Sequence, residues 1–234
     1  MFFGILAIMF IVLIVFFLVV KVISFNNTTY HESTGNSLFE TMNNKGKKGE
    51  YEIYERLRSL ENKGDRFLFN VYLPKGDGNT TECDVILIDT QGLIVFESKN
   101  YKGWIFGDEN YKTWTQTLPC GAGEPAKKER FYNPIMQNRT HIRHLKSIVG
   151  NQYRIQSVIV FSDECELKKV TVHSPDVVVT KLQSLYEAVS HLNNSSPNVT
   201  LSNEEIESLY SRLYPYSQVS EYVKQQHIDA LNFK

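Results

Sequence analysis

The residues best suited to chemistry in this chain are charged side chains that a predicted β-hairpin brings together. Two runs rich in β-forming residues flank the polar turn 89–92. A symmetric antiparallel pairing across that turn sets Asp84 opposite Glu97, and the same register sets Glu82 opposite Lys99 on the same face. Opposed carboxylates about 5 Å apart repel each other, and a hard divalent cation relieves that repulsion. The spacing therefore predicts a metal site beside an amine.

The same residues could instead form an ordinary edge hairpin with solvated charges and a Glu82–Lys99 ion pair. The apolar pattern argues against this alternative, because both faces of the two strands are apolar over much of their length. The charged face continues with Ile86, Ile88, Leu93 and Val95, and the opposite face holds Cys83, Val85, Leu87, Ile94 and Phe96. Carboxylates at the end of such a sheet need a partner, a metal or an open cleft. We therefore expect a functional site here, provided that no β-bulge shifts the register.

A helix that precedes the hairpin adds a further acid. Ile53, Leu57 and Leu60 have the spacing of an amphipathic helix, and Glu50 falls on the same inward stripe. At the first turn of the helix, Glu50 could simply be a partner of the helix dipole. It could equally reach the carboxylates of the hairpin, and the sequence leaves both interpretations open.

A second helix is predicted after the hairpin, with Asn133 as its N-cap and Pro134 at its first position, ending near Val149. His141 and His144 on this helix have a spacing that could bind a metal, but no carboxylate or cysteine accompanies them. A basic stripe most often means a solvated face, yet basic residues just upstream make it the best candidate surface for a phosphate backbone. This surface comprises Lys127, Lys128, Arg130, Arg139, Arg143 and Lys146.

The N-terminal segment has the composition of a membrane anchor. The first twenty residues contain no charged side chain and, as an α-helix, span close to the ~30 Å of a bilayer core. A cleaved signal peptide would need a basic start and a small-residue cleavage site, and neither is present. We expect residues 2–23 to form a single-pass anchor in the cell membrane. Lys and Arg follow the span but do not precede it, which favours a cytoplasmic C-terminal domain.

The rest of the chain divides into three predicted parts. Residues 24–45 are polar and are expected to form a flexible stalk with a short helix near 38–42. Residues 46–192 are expected to form one α/β domain with a mixed central β-sheet flanked by helices. Residues 200–234 form a helical extension that begins with a capping box, Ser202 to Glu205.

Overall composition limits the possible functions. The net charge of −1 argues against tight nonspecific binding to nucleic acid. The three cysteines have no metal-like spacing and fit a reducing compartment. Nothing in the sequence indicates a protein partner.

Four blocks of the sequence together resemble the nuclease-related domain (NERD) family, a branch of the PD-(D/E)XK nuclease superfamily. They are Gly49-Glu50, Glu82-Cys83-Asp84, the run from Glu97 to Gly103, and the run from Asn133 to Asn138. The resemblance covers about residues 46–150 and implies a restriction-endonuclease-like core. It is also consistent with the anchor, because members of this family often sit on bacterial membranes. Cys83 and Ser98 depart from the usual pattern, but neither departure removes a ligand.

The resemblance implies specific roles for the charged residues. Asp84 and Glu97 would bind Mg²⁺ or Mn²⁺, with the Ser98 carbonyl as a further oxygen ligand. Lys99 would orient or deprotonate the attacking water. The remaining polar positions implied by the resemblance are Glu50, as the acid borne by a helix, and Gln137, near the phosphate.

Two functions are therefore expected as alternatives. The first is a membrane-anchored, divalent-metal-dependent nuclease that hydrolyses phosphodiester bonds of DNA or RNA. The second is a membrane-tethered module that binds or senses nucleic acid and keeps the nuclease fold without turnover. The intact set of two acids and a lysine favours the first, and the near-neutral charge favours the second.

Overall fold

A computed structural model describes residues 2–121, 124–194 and 200–232. It confirms the predicted mixed α/β class, with two β-sheets flanked by helices. The strands are β1 Arg66–Pro74, β2 Thr80–Asp89, β3 Gly92–Lys99, β4 Gly103–Asp108, β5 Thr113–Leu118, β6 Lys127–Tyr132, β7 Ile155–Phe161, β8 Cys165–Thr171 and β9 Val177–Lys181. The α-helices are α1 Phe2–Asn26, α2 Thr29–Thr34, α3 Leu38–Asn43, α4 Lys45–Leu57, α5 Pro134–Val149, α6 Leu185–Asn194, α7 Asn203–Ser217 and α8 Glu221–Asn232.

The five-stranded central sheet has the order β1-β2-β3-β7-β9. β1, β2 and β3 are antiparallel neighbours, whereas β7 runs parallel to β3 and β9 runs parallel to β7. Ile53 and Leu57 of α4 pack against one face of this sheet, and Leu145 and Val149 of α5 pack against the other. Both faces are therefore buried, as the apolar pattern of the hairpin predicted.

The hairpin register is confirmed along its apolar part, from the pair Ile88–Leu93 to the pair Val85–Phe96. Beyond Val85 the paired ladder ends, and the strict alternation of side chains fails. Cys83 packs with Ile86 in the core on the α5 side, although we predicted it on the face of Val85.

The irregularity coincides with Asn70 on the neighbouring strand, which has a left-handed backbone (φ 50°). One consequence is that the predicted Glu82–Lys99 opposition is wrong. Glu82 instead pairs with Tyr72 of the neighbouring strand β1 and lines a cavity together with Glu50.

A second sheet, with the order β6-β5-β4-β8, packs beside the end of the central sheet. Its inner face contributes Ile105 and Trp114 to a small core that also contains Ile135 of α5 and Phe161 of β7. The apolar pattern of the sequence does not predict β6 or β8. Both missed strands are strongly charged and exposed, so their sequences lack the apolar alternation that marks a half-buried strand.

The N-terminal helix α1 extends three residues beyond the predicted span of 2–23. Its segment Ile8–Asn26 has a mean hydropathy of 3.1, so this helix is long and apolar enough to cross a membrane.

The segment 24–45 does not form the flexible stalk that we predicted. It contains α2 and α3, and the side chains of Phe25 and Tyr30 are buried in the core on the α4 side. Tyr30 contacts Phe69 edge to face, with ring centroids 5.0 Å apart. The predicted short helix near 38–42 is confirmed as α3.

The C-terminal extension is helical, as predicted, and contains the two helices α7 and α8. The predicted capping box is present, because the Ser202 hydroxyl accepts from Glu205 N–H and the Glu205 carboxylate accepts from Ser202 N–H. α7 packs against β1, with Ile206 and Leu209 buried beneath it. The last two predicted residues of the extension, 233 and 234, lie outside the described residues.

Candidate active site

The end of β3 carries the central pair of the site. Lys99 Nζ donates a hydrogen bond to Glu97 Oε1 at 2.6 Å, and Glu97 is only 1% exposed. The same Nζ donates to Gln137 Oε1 of α5 at 3.1 Å. On β2, the Asp84 carboxylate accepts the backbone N–H of Ser98 at 2.8 Å. The structure thus brings Asp84, Glu97, Lys99 and Gln137 together.

The two acids Asp84 and Glu97 differ in their electrostatic environment. Burial, followed by the charges of Glu97 and Glu50, raises the pKa of Asp84 well above its usual range. Burial also opposes ionisation of Glu97, but Lys99 and His141 outweigh it and lower the pKa of that carboxyl. The pKa of Lys99 is raised, because its acidic neighbours outweigh its burial. Glu97 and Lys99 therefore form an ion pair, whereas Asp84 feels the charge of Lys99 only weakly, because burial and the neighbouring acids outweigh it.

The position of Glu50 resolves the two interpretations of this residue. Helix α4 begins at Lys45, so Glu50 does not lie in its first turn and is not a partner of the dipole at the helix N-terminus. Its carboxylate accepts hydrogen bonds from Asn70 Nδ2 at 3.0 Å and from the Tyr30 hydroxyl at 3.4 Å. Burial and the charge of Glu82 raise its pKa to about 7. Glu50 thus adds negative potential to Asp84.

The close approach of α4 to β3 explains why Gly49 precedes Glu50. A Cβ atom at position 49 would collide with the Ser98 hydroxyl. Any larger residue would push α4, and with it Glu50, away from the strand that carries Glu97. The small residue at 98 serves the same packing, which accounts for one departure from the family pattern.

His141 is a site residue that the sequence did not reveal. Its Nε2 lies 3.1 Å from Glu97 Oε2, and its Nδ1 lies 2.7 Å from the hydroxyl of Thr81. An ionised carboxylate can only accept, so Nε2 donates to Glu97, and the Thr81 hydroxyl is the hydrogen-bond partner of Nδ1. The only hint in the sequence is that His141 lies one helical turn after Gln137 and so on the same face of α5. Its partners Glu97 and Thr81 lie 44 and 60 residues away in sequence, so no local pattern reveals them.

The six predicted contacts for nucleic acid lie on two elements, β6 and α5. Lys127, Lys128 and Arg130 lie exposed on β6, and Lys127 forms an ion pair with Glu129. The other three residues lie on α5. Of these, Arg143 is exposed and Lys146 is half-buried.

Arg139 differs from the other five residues because it is paired with a buried acid. It forms an ion pair with the buried carboxylate of Glu109, which also accepts from the Ser174 hydroxyl and from the N–H of His173. These contacts join α5 to the second sheet. Arg139 is therefore engaged in holding the fold rather than free to meet a phosphate.

The oxygen atoms at this site are of the kind that bind the metal implied by the resemblance. Asp84, Glu97 and the Ser98 carbonyl are hard oxygen donors, and the charges of Glu97 and Glu50 add to burial in raising the pKa of Asp84, so a divalent cation such as Mg²⁺ or Mn²⁺ fits the set. Over the described ranges, no three His, Cys, Asp or Glu side chains are grouped closely enough to hold a metal. His141 and His144 therefore form no such site either.

A cavity of about 590 Å³ adjoins Glu50 and Glu82, between α2, α3, β1 and the C-terminal helices α7 and α8. Its lining includes Glu50, Asn70, Tyr72 and Glu82. His227 of α8 stacks edge to face on Tyr72 and lies 3.7 Å from Glu82. The C-terminal helices thus form one wall of the space beside the acids.

Comparison with known proteins identifies the family. Residues 45–162 match the nuclease-related domain, a span that includes Glu50, Asp84, Glu97, Lys99 and Gln137. An uncharacterized protein of Bacillus anthracis is 33% identical over 190 residues, which cover 81% of this chain and 85% of that relative. No solved structure matches the chain significantly. The chain belongs to the nuclease-related domain family, in the general context of the PD-(D/E)XK superfamily.

Proposed function

We propose that this protein is a membrane-anchored, divalent-metal-dependent nuclease that hydrolyses phosphodiester bonds of DNA or RNA. The observation that carries the proposal is the Glu97–Lys99 ion pair beside Asp84, in a chain of a nuclease-related family. Acidic groups that repel one another at the end of a buried sheet are costly to a fold unless they have a use.

In this proposal, Asp84 and Glu97 hold Mg²⁺ or Mn²⁺, and the Ser98 carbonyl is a further ligand. When bound, such an ion polarises a phosphoryl oxygen and lowers the pKa of a coordinated water. Lys99 positions the attacking water and offsets charge that develops on the phosphate. Gln137 accepts a hydrogen bond from Lys99 and so holds the amine in place.

Glu50 has a separate role in the proposal. Because its pKa lies near 7, it can hold or release a proton at neutral pH, as a general acid or base must. Its position behind Asp84 also strengthens the attraction of the site for a cation.

The test is cleavage of supercoiled plasmid, single-stranded DNA and RNA by the full-length protein in zwitterionic detergent micelles. We expect cleavage with Mg²⁺ or Mn²⁺ and none with EDTA. Asp84→Asn and Lys99→Ala should each lower the rate at least about 100-fold. Lys63→Ala, at an exposed position away from the site, is the matched control.

A second candidate is a tethered module with the nuclease fold and no turnover. It is favoured by the saturation of Glu97, whose two oxygens are bonded to Lys99 and His141. Wild type and Lys99→Ala that are equally inert with every metal tried would establish this candidate in place of the nuclease.

A further inference from the structure

The outer face of the second sheet has an unusual composition for a solvated surface. The inner face is defined by the buried residues Ile105, Trp114 and Gln116. Neighbouring positions in each strand must therefore point outward. Trp104 on this outer face is 39% exposed, and Phe106 beside it is half-exposed. Two aromatic side chains thus lie next to each other on an open sheet.

The strand register brings basic side chains beside these aromatic rings. Across β5, Trp104 aligns with Lys128 through Thr117, and Phe106 aligns with Arg130 through Thr115. Each of these aligned rows of side chains thus begins with an aromatic ring on β4 and ends with a cation on β6, Lys128 or Arg130.

The opposite edge of the sheet adds two more cations. Lys169 of β8 pairs directly with Phe106, and Lys168 lies over the Trp104 ring, with its Nζ 5.6 Å from the centroid. Two acids share this face: Glu166, which forms an ion pair with Lys168, and Asp108, two residues after Phe106, which lies 3.4 Å from His173 Nε2. The face is locally positive, although the chain carries a net charge of −1.

We infer that this outer face binds single-stranded nucleic acid. Exposed rings on a sheet offer stacking platforms to unpaired bases, and flanking cations neutralise the phosphates. Trp104 and Phe106 would provide the stacking, and Lys128, Arg130 and Lys169 the electrostatic attraction. A duplex buries its bases between stacked neighbours, so it could use the cations but not the rings.

The position of the face suits delivery of a strand to the candidate active site. β4 begins at Gly103, four residues after Lys99, so the row of Trp104 is the part of the sheet nearest the site in the chain. The inference rests on the proposed function for its choice of nucleic acid as the ligand. Binding without cleavage can nevertheless be measured separately, because EDTA removes the metal.

The experiment measures binding of fluorescein-labelled oligo-dT and oligo-U of about 20 nucleotides to the full-length protein in zwitterionic micelles with EDTA. The triple variant Lys128→Gln, Arg130→Gln, Lys169→Gln should bind at least about 10-fold more weakly. Its log–log salt slope should fall by about 2, at about 0.7 per lost phosphate contact. The control triple, Arg56→Gln, Lys63→Gln, Arg212→Gln, removes as many exposed charges elsewhere and should leave both quantities unchanged.

Stacking is tested at the tryptophan. Trp104→Ala should weaken binding about 5- to 30-fold, whereas Trp104→Phe should retain most of the affinity. Tyr186→Ala, at a ring of similar exposure (41%) on α6, should bind as wild type does. Circular dichroism of each variant checks that the fold is intact.

Three results would overturn the inference. They are unchanged binding by the triple variant, equal competition by duplex and single strand, and self-association of the protein through this face in light scattering. A protein that binds as expected but never cleaves would refute only the nuclease proposal. Cleavage of single strands that is insensitive to the triple variant would refute only the binding face.

Discussion

At the level of single side chains, the site is organised around an unequal pair of acids. Glu97 is stabilised in its ionised form by Lys99 and by His141, whereas Asp84 receives one backbone N–H and faces the charges of its neighbours. The site therefore attracts positive charge, and part of that attraction is already satisfied by the protein's own Lys99 and His141.

Asp84→Asn should therefore stabilise the protein without metal. A carboxyl whose pKa is raised on folding costs stability once pH exceeds its ordinary pKa of 3.8, because the unfolded chain then ionises more readily. The advantage of the variant over wild type in melting temperature should grow as pH rises from about 4 to 7.5 in EDTA. Asp176→Asn, at an exposed position, should show no such trend.

The same variant should lose the response to Mn²⁺. Wild type should gain melting temperature on adding Mn²⁺, because a ligand bound only by the folded state stabilises it. A stabilisation by Mn²⁺ that persists in Asp84→Asn would exclude Asp84 as a ligand.

His141 is expected to act as a positioning residue, because it touches Glu97 rather than a substrate. His141→Ala should weaken Mn²⁺ binding about 10-fold or more in calorimetry, in line with the loss of other groups that orient metal ligands. His141→Gln can still donate to Glu97 and should recover part of the affinity. His144→Ala, on the same helix, is the control; an equal loss there would contradict the positioning role.

Among the helices and strands, the segment 24–45, which contains α2 and α3, has the largest unexpected role. α2 inserts Tyr30 between α4 and β1, where its hydroxyl donates to Glu50 and its ring contacts Phe69. The segment after α1 is therefore part of the domain and helps to hold Glu50 of α4 in place. A soluble fragment that begins near Lys45 would lack this packing.

Tyr30→Ala should lower the free energy of unfolding by about 3–5 kcal/mol, as expected for a large buried aromatic side chain. Phe39→Ala in the adjacent helix α3 is a matched control, because Phe39 is 79% exposed and Tyr30 is 0% exposed. The control should cost less than about 0.5 kcal/mol. Chemical unfolding of both variants in micelles measures the difference, and equal costs would refute burial of α2.

For the whole molecule, the short connection between the apolar helix α1 and the domain predicts that, if α1 spans a membrane as proposed, the site works near the membrane surface. α1 ends at Asn26, and Phe25 already belongs to the core of the domain. A cytoplasmic orientation is the expectation from the distribution of Lys and Arg around the span.

Cys120 offers a direct test of this orientation. It is exposed, whereas Cys83 and Cys165 are buried. A maleimide that cannot cross membranes should label the protein only after cells are lysed, and Cys120→Ser should abolish that labelling. Labelling of intact cells at Cys120 would place the domain on the outside.

Features governed by neighbouring residues could be read from the order of amino acids. The apolar span, the 89–92 turn and the Asn133-Pro134 helix start follow from local hydropathy, turn chemistry and capping. The same rules predicted Asp84, Glu97 and Lys99 as candidate site residues, and the hairpin register on which that prediction rests is confirmed as far as the pair Val85–Phe96.

Other features required the folded chain, because they arise between residues far apart in sequence. The left-handed Asn70 moves Glu82 away from Lys99, and Thr81 orients His141 toward Glu97. The burial of Tyr30 and the charged strand β6 likewise depend on partners that local periodicity does not encode. Long-range packing, which no short window of sequence contains, decided which polar groups meet at the site.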